Sequence, residues 1–332
     1  MSESCGCGGV RRQNPAAMTK VTCRIVENVL VARDTYRMRL ASMGLMPIAR
    51  GVVPGQFVMI RVPGSVDPLL GRAFAIYDAG FDGDGNTDGG QAWLDVVYLR
   101  VGRATTGFTQ LVSGMPMELW GPLGNGFPHF DPAECDHLIG VAGGIGQTPM
   151  RLLIAESLGL RRFTRTTAAE TTAEADGNIS RVSLCYGARD AAGLAEVSAF
   201  AATGAEMFVA TEDGSAGEKG RVTAPLERLL REKTTVERRR TCVTACGPSP
   251  MLIAVQRLLR EYDTPGWLSL ETPMACGMGI CFSCVTKIRM AVPPAAGSAE
   301  KSANTAETWD YRRTCVDGPV FDSQSVIFES VE

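Results

Sequence analysis

The chain has 332 residues, a formal net charge of −3 and a hydrophobic fraction of 45%. That length accommodates roughly two or three domains with cores of their own, and the near-neutral charge leaves no electrostatic footprint for nucleic acid. Two histidines give little material for histidine catalysis or a His-rich metal site, and eleven cysteines in so long a chain, four of them at metal-ligand spacing, argue against a disulfide-stapled secreted scaffold.

Residues 1–19 are polar and glycine-rich, with Glu3, Arg11 and Arg12 and no apolar core. A disordered tail is expected there, neither signal peptide nor anchor, and a reducing cytoplasm fits the cysteine usage. Cys5 and Cys7 alone cannot complete a metal shell. The most apolar stretch, around Leu138 to Ala155, is interrupted by glycines, Gln147, Pro149 and Arg151 and is too broken to span a bilayer, so no membrane partner is expected.

From 20 to 130 short β-rich runs alternate with Pro and Gly, among them 23–26, 36–40, 56–62, 73–77 and 92–99, and predict a small antiparallel barrel. The acidic loop at 82–90 lacks the terminal Glu of a calcium loop and reads as solvated. Arg72, at the start of the strand Ala73-Phe74-Ala75, can fork onto a diphosphate while the adjacent backbone faces a flat ring; a surface charge is the plainer reading. The strand Val97-Tyr98-Leu99 runs into Gly102-Arg103-Ala104-Thr105, where a helix start through Leu111 offers amides and hydroxyls to a phosphate, or Thr105 simply caps it. The run Gly121 to Phe127 must be a tightly shaped loop.

From 131 to 263 strand and helix alternate, which predicts a parallel sheet with ligands at its C-terminal edge. Strands are expected at 136–142, 182–187, 206–211 and 241–245, and helices through Glu156, near 191–201, near 222–231 and at 251–261. Gly143, Gly144, Ile145 and Gly146 follow the first strand, where close backbone approach to a pyrophosphate is possible, although the pattern is not G-x-G-x-x-G. The loops Tyr186 to Arg189, Thr211 to Ser215 with Asp213, and Cys246-Gly247-Pro248 converge on the same edge, so Cys246 is the candidate beside a nicotinamide. The stretch 162–180 reads as a surface insertion.

The last segment, 264–332, opens with a strand at Trp267 to Glu271 and carries Cys276, Cys281, Cys284 and, far downstream, Cys315. The spacing C-x4-C-x2-C with a distant fourth thiol is the plant-type [2Fe–2S] pattern. A structural zinc, a disulfide pair or buried apolar cysteines are the alternatives, and zinc prefers paired short knuckles. A strand leaves at 285–290, and 291–308 is a low-complexity excursion.

The order as a whole resembles the electron-transfer subunits of class 1B dihydroorotate dehydrogenases, a branch of the ferredoxin-reductase-like flavoproteins. The resemblance spans about Thr19 to Phe328. It rests on Gly-Pro-Leu-Gly-Asn-Gly-Phe at 121–127, Ala-Gly-Gly-Ile-Gly at 142–146, Glu-Asp-Gly-Ser at 212–215, Cys-Gly-Pro at 246–248, the cysteine run at 274–284 and Cys-Val-Asp-Gly-Pro-Val-Phe at 315–321. It implies a multidomain chain: an antiparallel β-barrel FAD domain at 20–130, an α/β parallel-sheet NAD domain at 131–263 and a small C-terminal [2Fe–2S] domain at 264–332. It also implies FAD contacts at Arg72 to Ala75, Val97 to Leu99, Ala104 and Thr105, and cluster ligands at Cys276, Cys281, Cys284 and Cys315. Three positions depart from the family pattern: Ala75 removes a hydroxyl expected near the flavin N5, Leu99 replaces a common arginine, and Ala104 replaces a glycine.

The implied function is a relay. A separate FMN subunit, in a heterotetramer of two of each, oxidises dihydroorotate in pyrimidine biosynthesis; electrons pass through [2Fe–2S] to FAD and leave as hydride to NAD+. Reductase subunits of a hydrogenase, a sulfite reductase or an NADH-dependent ferredoxin:NADP oxidoreductase look similar in all three parts. A redox sensor without turnover is the alternative of another class, and the intact nicotinamide loops weigh against it.

Overall fold

The computed structural model describes residues 18–82, 91–163, 178–290 and 308–329. The expected tail with Cys5 and Cys7, and the bodies of the acidic loop, the surface insertion and the low-complexity excursion, lie outside the described residues.

Seven antiparallel strands build the first sheet: β1 (Thr19–Ala32), β2 (Thr35–Ala41), β3 (Phe57–Arg61), β4 (Arg72–Ala75), β5 (Asp78–Phe81), β6 (Ala92–Leu99) and β7 (Pro116–Leu123), in the order β4-β3-β7-β1-β2-β6-β5. Alternation sends Cys23, Ile25, Met38, Leu40, Leu94, Val96, Met117 and Leu119 into one core. The sheet curls into a half-barrel, and the helix Arg103–Phe108 closes one mouth by setting Phe108 against Phe74 and Tyr98.

The second sheet holds β8 (His137–Gly143), β9 (Arg181–Ala188), β10 (Glu206–Thr211), β11 (Glu218–Lys219), β12 (Thr241–Cys246) and β13 (Gly266–Ser269). Its interior strand β12 is buried at all six positions, the uninterrupted burial that a strand covered on both faces requires. The helix Ser249–Glu261 begins with proline in its first turn and lays Leu252, Val255, Leu258 and Leu259 on the sheet.

The C-terminal segment adds β14 (Val285–Arg289), β15 (Trp309–Arg313), β16 (Val320–Asp322) and β17 (Val326–Ile327). β15, β14 and β17 form a small three-stranded sheet. β16 instead pairs antiparallel with β13 on the edge of the second sheet, giving the order β11-β10-β9-β8-β12-β13-β16. The sheet expected to be parallel is therefore mixed. The strand expected to introduce a separate C-terminal unit belongs to this sheet, because Gly266 to Ser269 hydrogen-bonds in register along β12.

The helix expected near 191–201 is two short pieces, Ala191–Gly193 and Val197–Ala201, broken where Glu196 takes φ 58°. Among the described residues no helix is long and apolar enough to cross a membrane.

Candidate redox site

Three groups of side chains meet where the half-barrel, the mixed sheet and the cysteine loop adjoin. The first lies on β4 and the Arg103–Phe108 helix. Arg72, Arg103, Ala104, Leu70, Asp67 and Phe108 line a cleft of about 290 Å³. The Arg72 Nη1 donates to the carbonyls of Leu70 (2.9 Å) and Gly71 (3.1 Å), which holds the guanidinium at the cleft wall. Arg103 is paired with Asp67 across the mouth.

The opposite face of β4 differs. Ala73, paired across the sheet with Met59, packs against the cluster of Phe57, Met59, Leu123, Cys284 and Cys315, so this face of the strand that carries Arg72 lies toward the cysteines.

Thr105 spends its hydroxyl locally. It accepts from the amides of Val101 (3.1 Å) and Gly102 (3.2 Å), so what this turn offers a ligand is backbone. Tyr98 and Phe74 also turn inward, edge to face at 6.0 Å, and the Tyr98 hydroxyl donates to Asn28 at 2.9 Å. Val97 points the other way, into the apolar cluster that contains Cys246 and packs against Ile145. Leu99 ends β6 half-buried.

The second group is the C-terminal edge of the mixed sheet. A Cβ on Gly146 would lie 2.1 Å from the carbonyl oxygen of Cys246, and one on Gly143 would lie 3.1 Å from Pro248. The loop Gly143 to Gly146 is thus seated against Cys246-Gly247-Pro248, and side chains are excluded by contact. Gly144, at φ 54°, faces open space. Asp213 accepts from the amide (2.9 Å) and hydroxyl (2.6 Å) of Ser215, which lowers its carboxyl pKa and shapes the turn beside this edge. Cys246 is 4% exposed and lies opposite Ser269 on β13; burial pushes its thiol well above the ordinary range, so it stays protonated.

The third group is the cysteine loop. Positive φ at Gly277 (72°) and Gly279 (77°) curls the backbone, and the Met278 amide donates to the Cys276 sulfur at 3.3 Å. The barrel holds the loop from beneath: Trp120 Nε1 donates to the Cys276 carbonyl at 3.3 Å, and Gly277 abuts Met59. Cys315 is returned by a turn in which the Thr314 amide donates to the Cys284 carbonyl at 2.8 Å and Arg313 Nη1 donates to Gly279 at 3.0 Å.

The four thiols of this region are free, with Cys281 next to Cys276, and Cys315 next to Cys284 and near Cys276. Among the described residues no three ligating side chains gather around one ion. The spacing C-x4-C-x2-C with a distant fourth thiol suits a centre of two irons better than the paired short knuckles of a zinc site. Ser283 hydrogen-bonds the exposed Cys281 and brings its thiol down to about 6, toward the thiolate a metal needs, while burial lifts Cys315 to about 12.

No family model matches the chain. It is 31% identical over 314 residues, 94% of its length, to the full-length dihydroorotate dehydrogenase B (NAD(+)) electron transfer subunit of Desulforamulus reducens. It is 33% identical over 90% of its length, and 95% of the relative's, to the subunit of the same name from Geobacillus kaustophilus. The chain belongs to this family of electron transfer subunits.

Among solved structures it is similar to one describing an NADH-dependent reduced ferredoxin-NADP oxidoreductase, with TM-score 0.68, 24% identity and coverage of 92% of this chain and 89% of that one. A ferredoxin NADP+ reductase from Neisseria gonorrhoeae with bound FAD and NADP aligns at TM-score 0.52 and 16% identity over 73% of this chain and 91% of that one. At these identities the two show the fold alone.

Three residues with parts in this arrangement carry no functional expectation from the sequence. Asn125 donates to the carbonyls of Val320 (2.8 Å) and Asp317 (3.3 Å), locking the Gly121 to Phe127 loop onto the turn that bears Cys315; its place inside that glycine-rich run was the available signal. Trp120, which anchors Cys276, reads as an ordinary strand residue. Glu271, two residues beyond Ser269, leads from the sheet edge into the cysteine loop and has no motif of its own.

Proposed function

We propose that the chain is the NAD-linked electron-transfer subunit of a dihydroorotate dehydrogenase, taking electrons from a separate FMN subunit that oxidises dihydroorotate in pyrimidine biosynthesis. When bound, nicotinamide exchanges a hydride, an iron–sulfur cluster one electron, and a flavin either. The flavin site must therefore lie between the other two.

The observation that supports this reading is what the half-barrel adjoins: Trp120 donates to the Cys276 carbonyl and Gly277 abuts Met59, the cross-strand partner of Ala73, while Val97 lies in the buried cluster that also holds Cys246 and that Ile145 packs against. The barrel that carries the residues assigned to FAD thus adjoins the cysteine loop on one side and the nucleotide edge on the other.

Within this reading Arg72 and the backbone at Ala104 and Thr105 would hold the FAD phosphates, and Ala73, Phe74, Ala75, Val97, Tyr98 and Leu99 would supply the remaining FAD contacts. Gly143 to Gly146, Asp213, Gly247 and Pro248 would seat the dinucleotide, with Cys246 beside the nicotinamide. Cys276, Cys281, Cys284 and Cys315 ligate the cluster. The exposed rim of the cysteine loop, Met278, Ile280, Phe282 and Val316, meets the partner in an assembly of two chains of each kind in the cytoplasm.

Anaerobic addition of NADH to the purified chain tests the relay, with bleaching of both flavin and cluster absorbance expected; absence of bleaching sinks it. Reconstitution with a dihydroorotate-oxidising FMN subunit tests the partner, with NAD+-dependent orotate formation expected. Bleaching without such coupling favours a reductase subunit serving another enzyme.

A further inference from the structure

The loop that carries three of the four thiols does not hold its own shape. Between Cys281 and Cys284 the chain places Phe282 at φ 56°, a left-handed backbone that a bulky residue avoids, and the ring is exposed, so burial does not fix it. Gly277 and Gly279, also at positive φ, add bends that no side chain stiffens. The fourth thiol comes from a distant turn, so the two segments have to be fastened to each other.

Arg313, at the end of β15 and two residues before Cys315, does this with one side chain. Its Nη1 donates to the Gly279 carbonyl at 3.0 Å, and the guanidinium carbon lies 5.4 Å from the centre of the Phe282 ring. A Cβ on Gly279 would lie 3.2 Å from that Nη1 and 2.6 Å from Val316, so loop and turn meet with no room for a side chain between them. On the turn itself, Nε reaches Asp317 at 3.4 Å, and the Arg313 amide donates to the same carboxylate oxygen at 3.0 Å. The Arg313 carbonyl accepts from the amides of Val316 (3.1 Å) and Asp317 (2.8 Å), which closes the turn around Cys315. A planar fork makes its three side-chain contacts at once; a lysine ammonium, a point donor on a flexible stem, does not.

The same group brings charge, because a guanidinium stays protonated throughout the working pH range. The four thiols are free and the Met278 amide already donates to the Cys276 sulfur, a donor set that suits an iron–sulfur centre. Such a centre gains one negative charge on reduction, and a fixed cation beside it favours the reduced form. The Asp317 side chain is only 16% exposed, so removal of the guanidinium would also leave a carboxylate uncompensated at this turn. Both changes act toward the oxidised form.

We propose that Arg313 is a positioning residue of the cluster site: it clasps the three-cysteine loop to the turn that returns Cys315, and its charge raises the reduction potential of the centre held there. The inference rests on the cluster-ligand assignment above and adds to it a residue that is not a ligand.

The cofactor-loaded chain and two variants test it. In Arg313→Gln the visible cluster absorbance is expected to decay in chelator roughly tenfold faster than in the wild type. A dye-mediated titration of that variant, followed by electron paramagnetic resonance, is expected to show the reduction equilibrium displaced roughly tenfold toward the oxidised form, about 59 mV for a one-electron couple. Arg313→Lys keeps the charge and loses the fork, so the wild-type potential is expected with faster loss to chelator. Flavin absorbance is expected to stay unchanged in both. An Arg313→Gln chain with the wild-type potential or the wild-type iron retention overturns the proposal, as does an Arg313→Lys chain whose potential shifts as far as that of Arg313→Gln. If Arg313→Gln holds no cluster, Arg313→Lys decides: loss at the wild-type rate overturns the proposal, and faster loss, or no uptake with flavin absorbance intact, supports it. A wild-type chain that takes up no iron–sulfur centre on anaerobic reconstitution overturns the ligand assignment, and the proposal with it.

Discussion

Cys281 is exposed and Cys284 is 1% exposed, so two thiols three residues apart meet different surroundings. Cys281 is the ligand that can be altered with least disturbance to packing. Cys281→Ser is expected to lose the cluster's visible absorbance while flavin reduction by NADH persists, as read by anaerobic titration. A normal cluster spectrum in that variant contradicts the ligand assignment.

His137 makes a different prediction. It lies at the N-terminal end of β8, 2% exposed, with Nε2 2.8 Å from the Ser183 hydroxyl, and burial lowers its pKa from 6.5 to about 3. Between those values the unfolded chain binds a proton that the folded chain refuses, so stability falls as pH drops through that window. Thermal melts at about pH 7 and about pH 4 are expected to show a loss of melting temperature that shrinks in His137→Gln. The residue types of both sites are legible in the sequence; burial and partners, which set their protonation, are not.

The element scale is governed by backbone contact. The turn after β8 fits against the end of β12 only because Gly146 has no side chain, its would-be Cβ falling 2.1 Å from a carbonyl oxygen that cannot yield. Gly146→Ala is expected to cost about 1–3 kcal/mol or more in chemical denaturation and to weaken NADH binding, since the two loops are forced apart. Gly144→Ala meets no atom within 4 Å but must hold φ 54°, so it is expected to cost less.

Most strands are legible as alternating or uninterrupted apolar runs, because a period of two follows directly from the pleat. The break at Glu196 is not, because a glutamate at positive φ is tolerated only under tertiary constraint. The placement of Gly266 to Ser269 is not legible either: its pattern suits any half-buried strand, and only pairing with β12 decides which sheet it joins.

For the whole molecule, the consequence is a cysteine loop clasped between barrel and sheet, with its rim facing out. Ile280 is 73% exposed and Phe282 61%, apolar surface large enough to invite a partner. Phe282 also lies under the Arg313 guanidinium at 5.4 Å, so the rim is held in shape before any docking. Ile280→Glu is expected to weaken binding of the proposed catalytic partner subunit roughly tenfold or more, measured by titration calorimetry, while NADH-driven bleaching of the isolated chain stays unchanged.

By itself the sequence determined the chemistry of this protein, because ligand spacing, glycine loops and strand periodicity are local properties of the chain. Four cysteines at C-x4-C-x2-C with a distant fourth, and glycines after two buried strands, state which atoms can do what. Only the tertiary structure decided the order in which those parts are joined. Trp120 reaches the Cys276 carbonyl, Asn125 reaches Val320 beside the turn that bears Cys315, and Val97 joins the buried cluster that holds Cys246, through contacts between segments far apart in the chain. Such contacts arise from shape and burial summed over the whole fold, and no local pattern encodes them.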